Sequence, residues 1–142
     1  MTNQLRLNSS AGPSALFINS PWALIHRDEE VNAAMLEWKN LVTGETYKQI
    51  LRQVLFLVRK ENLSRCIWNL NSVGNINKED LKWSFQFWLP AMAQCGVKSF
   101  AVIVNEQHFL HLAIASYLEK QDIVEYGMFE KSISAMYWLQ SH

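Results

Sequence analysis

Phe100–Val104 reads F-A-V-I-V, an unbroken apolar run with β-branched residues at its last three positions. It is too short for an ordinary helix and far below the ~20 residues that cross a bilayer. A short run with no polar alternation is a strand covered on both faces, as in the middle of a sheet with helices outside. Segments of helical period must therefore lie on either side of it.

Those segments are present. Tyr47, Ile50, Leu51, Val54, Leu55 and Val58 recur at helical spacing; Thr43 is placed to cap that helix, and Glu45 suits the positive end of its dipole. A second helix is expected from Asn77, with Glu79 and Asp80 in its first turn. Its core stripe is Leu81, Phe85, Trp88, Leu89 and Met92, with a kink or break at Pro90 and an end before Gly96. Strands over 65–70 and 123–128 and helices over 106–120 and 130–140 continue the alternation. Upstream, Trp22–Arg27 and Val31–Trp38 flank the acidic turn Asp28, Glu29, Glu30 and read as a hairpin, with Ala15–Ile18 as a short extra edge piece. The expected order is β-β-α-β-α-β-α-β-α. This is an α/β fold with a mixed sheet, an N-terminal hairpin followed by strand–helix units joined by right-handed crossovers and flanked by helices.

A chain of 142 residues, 49% of them hydrophobic, has enough material for one core and not for two. The domain is expected over residues 15–142, after a mobile polar leader at residues 1–14. Thirteen Lys and Arg cancel thirteen Asp and Glu without any basic block, which leaves no electrostatic footprint for nucleic acid or for an anionic membrane. The five glycines stand far apart, so no dinucleotide or P-loop cradle can be built from them, and no cofactor is expected. With no apolar stretch of membrane-spanning or signal-peptide length, the expected location is the cytoplasm. Cys66 and Cys95 fit neither a disulfide scaffold nor a C-x-x-C pair and read as buried thiols. The sequons at Asn8 and Asn62 carry no weight without secretion.

In sheets of this kind ligands meet the carboxyl ends of the strands. The loop after the third major strand offers Asn69, Asn71, Ser72, Asn75 and Asn77; the next offers Asn105, Glu106, Gln107 and His108. Amides hold hydrogen-bonding groups but exchange no protons near neutral pH, so these loops suit binding, or simply turns and caps, better than acid–base catalysis. His108 and His111, with Glu119 further along the same helix, lack a good third metal ligand and the H-E-x-x-H pattern. Neither cysteine lies in a motif that activates a thiolate, and G-x-S-x-G is absent. No catalytic, cofactor or metal residue is therefore expected. The oddity is Trp83 and Phe87, an i, i+4 pair that projects from roughly the opposite side of the second helix to its core stripe. Either the same chain covers these rings or a ligand or another subunit does.

Three segments carry a family resemblance: Glu37–Tyr47 (E-W-K-N-L-V-T-G-E-T-Y), Ile76–Val104 with its W-L-P kink, and Phe129–Leu139 ending A-M-Y-W-L. Over most of Trp22–Leu139 the chain resembles the SpoIIAA-like or STAS-like domains of small bacterial proteins. The resemblance implies a mixed sheet flanked by helices, a bacterial cytosolic setting and a non-enzymatic regulatory or ligand-binding role. In the anti-sigma-factor antagonists of the wider family, a Ser at the start of a helix is phosphorylated to switch partner binding. The corresponding stretch here is Asn69–Asp80, and Lys78 takes the place of that Ser. A helix N-terminus bearing Lys78 can attract an anion but cannot be switched by a kinase, so Asn71, Ser72, Asn77, Lys78 and Asn105 form the candidate polar-loop or anion site. The leading expectation is a non-catalytic interaction module, homodimeric through Trp83 and Phe87. The alternative is binding or sensing of a small apolar molecule between sheet and helices.

Overall fold

The structure, a computed structural model, describes residues 18–142. The expected leader at 1–14 and residues 15–17 of the edge piece lie outside the described residues. The elements are β1 (Ile18–Asn19), β2 (Ala23–Asp28), β3 (Ala33–Trp38), α1 (Gly44–Glu61), β4 (Arg65–Asn69), α2 (Lys78–Trp83), a π turn (Ser84–Trp88), α3 (Leu89–Gln94), β5 (Ser99–Ile103), α4 (Phe109–Leu118), β6 (Glu125–Phe129) and α5 (Ser132–Leu139).

They form one six-stranded mixed sheet in the order β1-β2-β3-β4-β5-β6. The first three strands pair antiparallel and the rest parallel. A right-handed crossover fixes the side on which its helix lies. The steps from β3 to β4, β5 and β6 all run in one direction, so α1, α2–α3 and α4 share a face. Their inward residues, among them Leu51, Val54, Met92, Leu110 and Ile114, close on Leu36, Cys66, Trp68, Phe100 and Val102 of the strands. The opposite face is covered by α5, whose Ala135 and Leu139 pack on Ala33, Met35, Ile67, Ala101 and Ile103. β5 is buried at every residue, as its uninterrupted apolar run requires.

Several boundaries differ from expectation for identifiable reasons. Val31 belongs to the β2–β3 turn and not to β3, because the Asp28 carboxylate accepts hydrogen bonds from the N–H groups of Glu30 and Val31 at 3.0 and 3.2 Å and holds the chain in a turn there. Thr43 occupies the N-cap of α1 without a side-chain capping bond; instead the Asp80 carboxylate accepts from the Gly44 N–H at 3.0 Å. α1 ends at Asn62, which takes up the left-handed conformation at φ 55°, so the sequon asparagine is a helix cap.

The second helix changes geometry ahead of Pro90, in a π turn closed by the Leu89 N–H on the Ser84 carbonyl. In a uniform helix the Pro90 ring would run into the carbonyl of Gln86, and widening the turn at that residue relieves the clash. The wide turn also alters the inward stripe. Ser84 is fully buried, while Phe85, expected in the core, is only half-buried. α4 begins at Phe109 rather than Glu106, because Asn105 and His108 close turns before it. β6 and α5 each begin two residues later than expected, and they span Glu125–Phe129 and Ser132–Leu139.

Candidate functional site

Trp83 closes α2 and Phe87 lies inside the π turn, so the two are not related by a regular helical step. Trp83 is half-buried beside α1, with Lys48 Nζ 5.4 Å and Arg52 Cζ 5.8 Å from its ring. Those cations lie where the negative face of an indole attracts them. Arg52 also pairs with Glu45 at 2.6 Å, and that hydrogen bond, with the guanidinium charge, holds the Glu45 carboxyl below its ordinary pKa. Phe87 has no such cover and is 62% exposed. Together the rings border a depression of about 290 Å³ shared with Lys48, Glu79, Lys82 and Gln86. The sequence pair thus divides: α1 partly covers the indole, and the phenyl faces outward.

Beneath this surface lies a ring cluster centred on Trp68. It makes edge contacts with Trp38 and Phe100 at 5.9 and 5.5 Å, stacks on Trp88 at 5.4 Å and meets Phe85 at 5.9 Å. Phe85 in turn stacks on Tyr117 of α4 at 5.1 Å. The Trp88 indole donates to the Leu51 carbonyl at 2.8 Å, whereas the buried indole N–H groups of Trp38 and Trp68 have no acceptor among the described residues. Ser84 donates to the Asp80 carbonyl at 2.9 Å and so accepts from the Tyr47 hydroxyl at 2.6 Å. Burial raises the Tyr47 pKa well above the usual tyrosine value, the Ser84 bond opposing it. Burial also pushes up the Cys66 thiol, which leaves it an unreactive core group. Cys95 is half-buried at the end of α3.

The two polar loops follow adjacent parallel strands, and the Leu70 N–H donates across to the Ile103 carbonyl at 2.8 Å. Asn71, Ser72, Asn77, Lys78 and Asn105 are all exposed. Local bonds occupy several of the amides. Asn77 Oδ1 accepts from the N–H groups of Glu79 and Asp80 at 3.0 and 3.2 Å, and Asn105 Oδ1 from Gln107 at 2.8 Å. Asn69 accepts from the Asn71 N–H at 3.0 Å. The α2 N-terminus beside Lys78 therefore already has side-chain acceptors on two of its donors. His108 Nδ1 accepts from the Leu110 N–H at 3.0 Å, and the buried His111 Nδ1 has no partner among the described residues. Among the described residues no three His, Cys, Asp or Glu side chains stand close enough to hold a metal ion, and no helix is long and apolar enough to cross a membrane.

One surface has little warning in the sequence. Phe129, Ile133, Tyr137 and Trp138 border a depression along α5, and Ile133 and Tyr137 are 76% and 77% exposed. Their i, i+4 spacing in a helix with apolar residues all round was the available signal.

The chain is similar to a solved structure, an uncharacterised protein of the DUF3478 family with a SpoIIAA-like fold from Shewanella loihica PV-4. The match covers 94% of this chain and 99% of that one, with a TM-score of 0.57 and 14% sequence identity. No protein-family model matches the chain, and no curated protein matches it. A likeness at this identity concerns architecture, and it agrees with the hairpin-first mixed sheet described above. The chain has a SpoIIAA-like fold.

Proposed function

We propose that this protein is a non-catalytic interaction module that self-associates through the face bearing Trp83 and Phe87. The observation that carries the reading is Phe87, a large ring 62% exposed beside an indole held by Lys48 and Arg52. Aromatic rings with neighbouring arginine are the enriched anchors of protein interfaces. A SpoIIAA-like architecture supports a regulatory role in the bacterial cytosol, and the polar loop at Asn71, Ser72, Asn77, Lys78 and Asn105 is the proposed site for an anionic group. The test is Phe87→Ser, measured by light scattering and urea unfolding. The expected result is a lower mass at unchanged folding stability, within about 0.5 kcal/mol for an exposed site; a mass identical to that of the unsubstituted chain refutes it.

A second reading, a carrier or sensor of a small apolar molecule, is favoured by the indole N–H groups of Trp38 and Trp68 within the ring cluster, which find no acceptor among the described residues. An apolar molecule bearing one carbonyl oxygen supplies what they lack. Native mass spectrometry of freshly purified protein separates the two readings, by a bare oligomer or a co-purified adduct.

A further inference from the structure

β6 closes one end of the sheet, and among the described residues no strand pairs with its outer side. The Glu125 N–H donates to the Lys98 carbonyl and the Phe129 carbonyl accepts from the Val104 N–H, both at 2.8 Å. By the alternation of a parallel ladder, Glu125, Gly127 and Phe129 bond to β5, and the main-chain groups of Tyr126 and Met128 point outward. Sheet edges are ordinarily guarded by lysine, proline or a bulge. Glu125–Phe129 contains neither residue, and its pairing with β5 runs without a bulge. Beside this edge lies the depression bordered by Phe129, Ile133, Tyr137 and Trp138.

The geometry points to a second copy of this chain as the occupant, its β6 paired antiparallel with this one about a two-fold axis at Gly127. That register sets Tyr126 of one copy opposite Met128 of the other, so each outward donor meets an outward acceptor, as an isologous contact requires. It also places Glu125 diagonally across from Lys131 of the other copy, twice by symmetry, on the face that carries α5. Both residues are exposed; the chain bends at Glu130 and Lys131, just past the end of β6, so it is the length of the Lys131 side chain, from a backbone at φ −121° and ψ 143°, that brings its charge toward Glu125. At the axis Gly127 presents no side chain, and the α5 depressions of the two copies face one another. Ile133 and Tyr137 expose on the order of 300 Å² between them, taking about 200 Å² for a large side chain. The strand edge and the half-buried Phe129 and Trp138 add to this, against roughly 800 Å² per partner for a stable interface. The contact is therefore a weak, concentration-dependent one.

This surface shares no residue with the Trp83–Phe87 face, and the experiment keeps them apart by using Phe87→Ser as background. Sedimentation across the micromolar range is expected to show that this variant, monomeric when dilute, dimerises as its concentration rises. Adding Met128→Pro, which deletes an outward donor and leaves the β5 ladder intact, abolishes the dimer. Glu125→Lys or Lys131→Glu alone weakens it about tenfold, and the two together restore it, a rescue that only facing charges give. A Phe87→Ser protein that is monomeric throughout overturns the proposal, as does a dimer indifferent to Met128→Pro and to charge reversal. An unsubstituted dimer untouched by Phe87→Ser but dissociated by Met128→Pro removes the Trp83–Phe87 reading and upholds this one.

Discussion

On the face that carries α1 to α4, rings from strands, helices and the π turn meet around Trp68; the opposite face rests on α5, with Ala135 and Leu139 as its fully buried residues. The same strands serve both. The contrast follows from connectivity, since successive crossovers in one direction stack their helices on one side and leave the other to whatever follows the last strand. One side becomes a thick aromatic core. The other is thin, with exposed apolar residues at its margin.

The strongest way to break this comparison is to remove one large residue from each side. Trp68→Ala opens a cavity where four other rings converge and is expected to cost about 3–5 kcal/mol. Leu139→Ala, on the buried side of α5, is expected near 2–3 kcal/mol because a helix of eight residues can settle into the space. Urea unfolding of both variants checks the order, and equal losses would mean that the two faces are equally thick. Gly127→Ala tests the thin side from within. A Cβ at that position would lie 2.6 Å from Phe129 Cζ and 3.3 Å from Trp138, so the rings must move. The expected cost is about 1–3 kcal/mol, with loosening of α5 seen in the hydrogen exchange of residues 132–139.

The smallest effect is alkaline. Tyr47 and Cys66 on the thick side are buried with pKa values raised above their unfolded ones, so their neutral forms stabilise the fold. That stability is complete below the unfolded values, roughly pH 9 for the thiol and pH 10 for the phenol. It is lost as pH rises further, because the unfolded chain then binds fewer protons than the native one. Tyr47→Phe should flatten the fall above pH 10, though it leaves Ser84 without its donor; a denaturation series from pH 8 to 11 that is identical for both proteins would count against the assignment.

Much of the thick side was legible in advance. Phe100–Val104 declared a doubly covered strand, and the spacing of Tyr47 to Val58 declared the helix above it. Period is a local property, and both segments obey it. The departures came where a distant group decided the outcome. Asp80 reaches the start of α1 and leaves the Thr43 side chain without a capping bond. Ser84, polar in the sequence, is drawn inside because Tyr47 and the Asp80 carbonyl satisfy it there. A uniform 100° per residue puts Trp83 and Phe87 on one side of a helix, and the intervening π turn separates an indole leaning on α1 from a phenyl in solvent. The edge of β6 was marked only faintly, by Glu125 and Gly127 in a strand otherwise as apolar as its neighbour. If the polar loop at Asn71, Ser72, Asn77, Lys78 and Asn105 is an anion site, calorimetric titration with inorganic phosphate is expected to show saturable binding that Lys78→Ala removes.

The wide turn at Ser84–Trp88 has one more consequence. A helix with such a turn spends an extra amino acid over the same path, so deleting one residue there, together with Pro90→Ala to remove the clash that a uniform pitch would bring back, lets the coil straighten without shortening the route from β4 to β5. Within the described residues, this is a place where a change in length is absorbed inside a helix that packs on the core, at the cost of re-aiming the outward phenyl.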